Sequence, residues 1–265
     1  AKVHKMHHVG KRYKVEGPHL VAPSPQRTPL LFQAGSSPTG RDFSARNAEA
    51  IFIGAPDPEN ARKLIDETRR LAVENGRKSE DIHFYQGLYF VIGKTEEEAR
   101  QKEYELENKI DFDMMIAHSA GGMGIDLGNA TLDTPLEDIK TEGIRSTYEW
   151  LKQSTPGRTP TVRDLARLRS KTNRIVGTPE MIADQLELWR DAGVDGINVI
   201  NATIPGSYEE FIDQVMPVLR KRGLARNGYG KPGTLRRKLF GTDRLNERHP
   251  AAKYRGAFAA KSPVN

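Results

Sequence analysis

No cysteine occurs in the 265 residues, which excludes disulfides, thiolate nucleophiles and thiolate-ligated zinc. Long apolar runs are missing too. No stretch approaches the roughly 18 uninterrupted apolar residues of a membrane-spanning helix. Ala1 to Tyr13 is basic but has no apolar segment of the kind that makes a secretory signal. Both features agree with a cytoplasmic protein. The dinucleotide fingerprint, the P-loop and the nucleophile elbow are absent. His4, His7, His8 and His19 crowd the N-terminal stretch, yet no carboxylate stands at a useful local spacing, so no metal site is expected. Aromatics amount to 7% of the chain. Those near the C-terminus are not interleaved with Lys and Arg as a surface for single-stranded nucleic acid requires.

Charge is plentiful but unevenly placed. The net charge is +6, from 41 Lys and Arg against 35 Asp and Glu. From Arg220 onward stand 13 of those cations and only two acids, Asp243 and Glu247, which leaves 28 cations and 33 acids before it. The basic character therefore belongs to a tail. Such a tail attracts nucleic acid or anionic lipid, but a solvated or subunit-wrapping extension is the favoured reading, and nucleic acid is not the favoured partner.

Residues 1–28 read as an extended lead-in, because Gly17-Pro18, Pro23 and Pro25, with Pro29 just beyond, forbid a regular helix. Strands are expected near 30–35, 50–54, 82–92 and 196–201, from short apolar or mixed runs bounded by turn residues. Between them lie helical patterns. Ala61, Leu64, Ile65, Thr68, Leu71 and Ala72 share one face of a helix from about Pro58, and Gly76 stops it. Thr95 and Glu98 form a capping box for the next helix. Thr178-Pro179 suits an N-cap and first helical position. Ser207 to Glu210 repeats the capping-box form for a helix to Arg222, which Pro217 should kink or break. The glycines at 121, 122, 124 and 128 argue for an ordered loop over 120–128, followed by helices near 143–153 and 161–173.

Alternating strands and helices imply a parallel sheet with helical cover. Strand-helix units occupy 29–111 and 175–223, residues 112–174 form an insertion over the site, and 224–265 form an extended basic tail. Four strands make half of an eight-stranded barrel or a small open sheet, not a complete barrel.

Several motifs stand in order along the chain: Gly17-Pro18-His19-Leu20, Ser24-Pro25-Gln26-Arg27-Thr28-Pro29, Gln33-Ala34-Gly35-Ser36-Ser37-Pro38-Thr39-Gly40, Ala117-His118-Ser119-Ala120-Gly121-Gly122 and Leu235-Arg236-Arg237-Lys238-Leu239-Phe240-Gly241. The series resembles the nitrilotriacetate monooxygenase family of luciferase-like flavin-dependent monooxygenases, whose relatives include long-chain alkane and dibenzothiophene-sulfone monooxygenases. That resemblance implies an α/β TIM barrel of which this chain is the C-terminal half, about strands five to eight, with upstream strands lying before Ala1.

It also implies a site. On their residues alone, Ser36 and Ser37 read as simple helix caps ahead of anion ligands, although a strand-to-helix turn can serve both purposes. The resemblance assigns them to the phosphate of FMN, with Gln33, Ala34, Gly35 and Gly40 lining the flavin side and Arg41 as a counter-charge or a plain surface residue. It places an active-site histidine at His118, which then passes a proton or positions the substrate. The implied reaction oxygenates a small organic substrate with O2 and reduced FMN supplied by a separate NADH-dependent flavin reductase, in a soluble enzyme expected to be a homo-oligomer. A non-catalytic flavin-binding remnant, a nucleic-acid binder working through the tail, and a deazaflavin enzyme remain as alternatives. Asn198 and Asn201 at the last strand face the pocket or simply pack and cap.

Overall fold

A computed structural model describes residues 4–35, 37–123, 130–139, 148–149, 151–152, 155–171 and 173–257. Among the described residues the strands are β1 (Met6–Val9), β2 (Lys14–Gly17), β3 (Phe32–Ala34), β4 (Ala50–Ile53), β5 (His83–Ile92), β6 (Arg174–Gly177) and β7 (Gly196–Ile200). The helices are α1 (Pro38–Asn47), α2 (Pro58–Glu74), α3 (Glu96–Asn108), α4 (Phe112–Met123), α5 (Val162–Lys171), α6 (Pro179–Asp191), α7 (Ser207–Glu210), α8 (Met216–Lys221) and α9 (Leu235–Phe240). None among the described residues is long and apolar enough to cross a membrane.

The lead-in is not uniformly extended chain. β1 and β2 pair as an antiparallel hairpin, with His7 opposite Glu16. The principal sheet has the order β3-β4-β5-β6, with β7 also pairing to β5. β3–β4, β4–β5 and β5–β6 are parallel pairs. β6 corrects the expected count of four strands. It has only four residues, of which Ile175 and Gly177 are buried, too few to impose a readable period.

The chain divides into two compact units, one built from residues up to 87 with 188–198 and 226 onward, the other from 88–187 with 199–225. In the first, α2 buries Ala61, Ile65, Thr68 and Ala72. These positions recur at helical spacing, so one stripe of the helix is removed from water, and each large apolar side chain so buried contributes about 1.5–3 kcal/mol. Asp57 caps the helix by accepting from Asn60 N at 2.8 Å.

The basic tail is the largest departure from the sequence reading of this unit. Its central part folds: Thr234 caps α9, and Gly241 closes it in the left-handed conformation at φ +73. Arg236 is fully buried. Its Nε and Nη2 donate to the Glu49 carboxylate at 2.7 and 2.8 Å. Its remaining donors reach the carbonyls of Gln26, Thr28, Pro29 and Asp243. Further along, Arg248 forms two hydrogen bonds with Asp81 at 2.9 and 2.6 Å, and His249 Nε2 lies 2.8 Å from the carbonyl of Asn47. The segment reads as surface because it is basic, but with every donor of its guanidinium engaged, two of them by a carboxylate, Arg236 offsets the desolvation cost of its burial.

In the second unit, Leu136, Leu151, Val162 and Leu165 form a core on which Ile116 and Ala120 of α4 pack. That contact corrects the loop expected from 120. Residues 120–123 are helical, because burial along the Ile116–Ala120 stripe outweighs a glycine penalty of roughly 1 kcal/mol each. Residues 124–129 lie outside the described residues, as does most of the helix expected at 143–153; 148–149 and 151–152 are helical. Thr95 caps α3 as expected, accepting from Glu98 N, while Glu98 Oε2 takes Lys94 N. Ser207 does not cap its helix. Gly206 holds that position at φ +114, and Ser207 Oγ accepts from Ala202 N and Thr203 N. Pro217 has the expected effect. A π-helical turn, Phe211–Val215, separates α7 from α8.

Candidate functional site

The stretch from β3 through the following turn into the start of α1 spans seven of the eight site residues expected from the sequence, with Ser36 outside the described residues. The turn leaves the C-terminal end of β3, in a region where β3, β4 and β5 run parallel, and the described residues Gly35, Ser37, Pro38 and Thr39 are exposed. Gly35 has φ +120, a conformation that L side chains rarely adopt. Gly40 is confined differently: a Cβ there would meet Gly35 O at 3.1 Å and Ser37 Oγ at 3.2 Å. The two glycines thus let the turn fold back on itself and keep its outer side open.

Ser37 is the N-cap of α1, its Oγ accepting from Gly40 N at 3.1 Å. The cap uses a lone pair and leaves the hydroxyl proton available to an outside acceptor. Pro38 brings no N–H, and Arg41 N donates to Ser37 O at 2.8 Å. Among the described residues this leaves the Thr39 amide as the uncommitted donor of the first turn, at the positive end of the helix dipole. Thr39 was not singled out from the sequence, and its only signal was its place after Pro38. Ser36 lies outside the described residues.

Gln33 and Ala34 belong to β3, with Gln33 half-buried and its Nε2 donating to Ala34 O at 2.8 Å. Arg41 is directed to α2. Its Nη1 lies 2.9 Å from Glu67 Oε2, and its buried Nε has no partner. Its charge is therefore compensated by Glu67. His118 falls in α4, in the other unit, and its side chain is outside the described set.

An aromatic face beside the turn was also missed. Register sets Ala34 beside Phe52 and Phe52 beside Tyr85, while Phe32 and Tyr85 stack with ring centroids 5.4 Å apart. Phe32 and Phe52 are 48% and 37% exposed. Burial raises the Tyr85 pKa, with the Asp195 carboxylate acting in the same direction. Gly196 makes room for Tyr85, since a Cβ there would meet the ring at 2.5 Å. Alternation alone could have flagged these residues as sharing a face.

Chemically, the turn offers donors to an anion, and the adjoining face offers apolar contact to a planar group. An FMN phosphate fits the donor set: a serine hydroxyl, a helix-terminal amide and glycines that keep side chains out of the way. Asn201 Oδ1 accepts from Tyr208 OH at 3.2 Å, whereas Asn198 is exposed. No cluster of three metal-ligating side chains occurs among the described residues.

Comparison with known proteins follows the same direction. A family model described as luciferase-like monooxygenase matches residues 4–196. The chain is 42% identical to dimethyl-sulfide monooxygenase from Hyphomicrobium sulfonivorans over 100% of its own length and 56% of that protein. It is 37% identical to long-chain alkane monooxygenase from Geobacillus thermodenitrificans, over 96% of this chain and 55% of that one. An FMNH(2)-dependent dimethylsulfone monooxygenase from Pseudomonas putida shares 28%, over 73% and 47%. The crystal structure of DmoA from Hyphomicrobium sulfonivorans superposes with a TM-score of 0.82 at 42% identity, covering 98% of this chain and 56% of that chain. The chain spans just over half the length of these first two relatives and of DmoA.

Proposed function

From the premise that the chain belongs to the luciferase-like monooxygenase family, we propose that it forms the C-terminal, half-barrel part of a two-component FMN-dependent monooxygenase of the nitrilotriacetate monooxygenase branch. When bound, reduced FMN supplies the reaction with O2 that delivers one oxygen atom to a small organic substrate. The chain's own residues hold and shelter it. The Ser37 hydroxyl and Thr39 amide receive the phosphate, with Ser36 as a further ligand. Gln33, Ala34 and Gly35 line the flavin, Gly40 keeps the cradle open, and Arg41, paired with Glu67, serves as a counter-charge only on releasing that partner. His118 donates or accepts a proton at the substrate. Residues 112–174 exclude water from the site, which strengthens every electrostatic interaction within it.

Following the family likeness, we assign flavin reduction to a separate NADH-dependent reductase in the cytoplasm. A homo-oligomer is the expected assembly. Taken alone, the chain binds FMN without completing turnover.

The observation that carries this reading is the exposed, donor-bearing turn at the C-terminal end of β3, where a helix N-terminus meets the aromatic face. Ser37→Asp tests it, because aspartate caps a helix as well as serine does but repels a phosphate. FMN affinity, read by fluorescence, should fall at least tenfold in Ser37→Asp while riboflavin affinity is unchanged. Equal loss for both ligands, or for neither, would sink the assignment. FMN binding without O2 uptake in the presence of a reductase fits the remnant reading of the isolated chain.

A further inference from the structure

A second pocket, of about 490 Å3, lies in the first unit and is lined by Gln26, Arg27, Thr28, Arg244, Tyr254 and Arg255 over a floor that includes Leu245 and Ala252. Three of its lining residues are arginines, and none is acidic. Arg255 is compensated: it pairs with Glu247 and donates to Leu245 O at 2.7 Å. Arg27 and Arg244 are exposed, and among the described residues no hydrogen bond or ion pair engages either guanidinium. Arg244 shares the field of the Asp243 carboxylate, which Arg237 already pairs, so the three arginines of the concavity outnumber the carboxylates beside them. An anion between Arg27 and Arg244 relieves that excess of positive charge.

The backbone supplies an independent observation. Arg27 has φ +66, one of two non-glycine residues at positive φ among the described residues. A long side chain held in this region stores strain, and such strain concentrates at ligand-holding positions. The surrounding turn is fixed from within. Arg27 N donates to Ser24 O and Thr28 N to Gln26 O, while buried Arg236 takes the Gln26 and Thr28 carbonyls. With its carbonyls turned inward to Arg236, the turn holds Arg27 in this strained conformation at the pocket. Gln26 Oε1 accepts from Arg236 N at 3.4 Å, so its amide NH2 is free to donate. The Thr28 and Tyr254 hydroxyls add further donors.

We propose that this pocket binds a small phosphate-bearing polyanion, at a site separate from the β3–α1 turn and independent of the flavin reading. The recognition chemistry is bidentate guanidinium-to-oxyanion contact from Arg27 and Arg244, supported by the Gln26 amide and the two hydroxyls. A concave pocket of this size suits a small molecule better than a duplex, whose backbone needs an extended convex or grooved surface.

Calorimetric titration of the full chain with inorganic pyrophosphate, at ionic strength matched with sodium chloride, tests this. One saturable site per chain is expected. Arg27→Gly should weaken it at least tenfold while relieving the positive φ, so that misfolding cannot explain the loss. Arg244→Gln should do likewise, and Lys231→Gln, which removes a tail cation outside the pocket, should leave it unchanged. FMN affinity should not move in any of the three. Absence of a saturable site, unchanged affinity in Arg27→Gly, or equal weakening by Lys231→Gln overturns the proposal. So does tighter, steeply salt-dependent binding of duplex DNA that the same two arginine variants abolish, which would reassign the surface to nucleic acid.

Discussion

Arg236 and Glu49 show how a single pair can hold a segment whose composition reads as solvated. Both are buried, and the guanidinium meets the carboxylate through two hydrogen bonds. Removing only one partner leaves a charge without compensation in a dry site. Arg236→Met should therefore cost about 3–5 kcal/mol, measured as a lowered urea midpoint. The paired change Arg236→Met with Glu49→Gln should recover part of that loss, because the stranded carboxylate is gone. A single variant as stable as the parent would refute the anchoring role. His83 is a second anchor. Its Nδ1 lies 3.3 Å from Asp195 Oδ1, and its ring stacks on Phe240 with centroids 4.7 Å apart. Its pKa is raised, first by the hydrogen bond to Asp195 and also by the Leu239 carbonyl, against burial and the nearby Arg69. A group whose folded-state pKa is raised stabilises the fold fully below its unfolded value, about 6.5, and that contribution disappears as pH rises through the folded value. Urea midpoints should accordingly fall across that window in the parent and fall less steeply in His83→Gln. Identical slopes would show that other groups govern the profile. Neither anchor was legible in the sequence, because Glu49 lies 187 residues from Arg236 and no local pattern links them. Ser37 was legible for the opposite reason, its cap being closed within three residues.

At the scale of elements, the turn between β5 and α3 is the most tightly constrained. A Cβ on Gly93 would approach Ala99 N to 2.3 Å, Thr95 O to 2.7 Å and Ala99 Cα to 2.9 Å. All three atoms are backbone, so no flexible side chain can yield. Gly93→Ala should then destabilise by about 1–3 kcal/mol or more, the usual range for overpacking, and hydrogen exchange should quicken first in α3. Parent-like exchange in α3 would mean that the turn relaxes cheaply. The caps at Thr95 and Thr178 were readable because hydroxyl and amide sit three residues apart in both helices. So was the break at Pro217, a property of the residue itself. α4 was not legible in the sequence at all: residues 112–119 read as part of the irregular insertion, and from Ala120 its glycines carry a local signal that only the packing of Ile116 and Ala120 overrides. β6 escaped for want of length, and its Arg174 is fixed by Glu103 and Glu107 at 3.5 and 3.3 Å, contacts more than sixty residues away in sequence.

For the molecule as a whole, the consequence of an open sheet is association. Parallel sheets are normally covered on both faces. Here β3 pairs with β4 along one edge, and among the described residues no strand pairs with its other edge. The adjoining face presents Phe32 and Phe52 with substantial exposure. An unpaired edge beside exposed aromatics is a template for another strand. The net charge of +6 opposes contact between identical chains, but that repulsion is screened once the Debye length falls to about 10 Å at 0.1 M salt. Light scattering along a dilution series should consequently show mass rising with concentration, and rising further as salt is added. Phe32→Lys places a charge at the edge and removes apolar area, at the cost of the ring contact with Tyr85. It should shift the series toward monomer, whereas Phe32→Leu, which removes the same ring contact without adding charge, should not. A mass equal to one chain at every concentration and salt level would mean that the open edge is protected by some other means, and the argument from the uncovered sheet would fail with it.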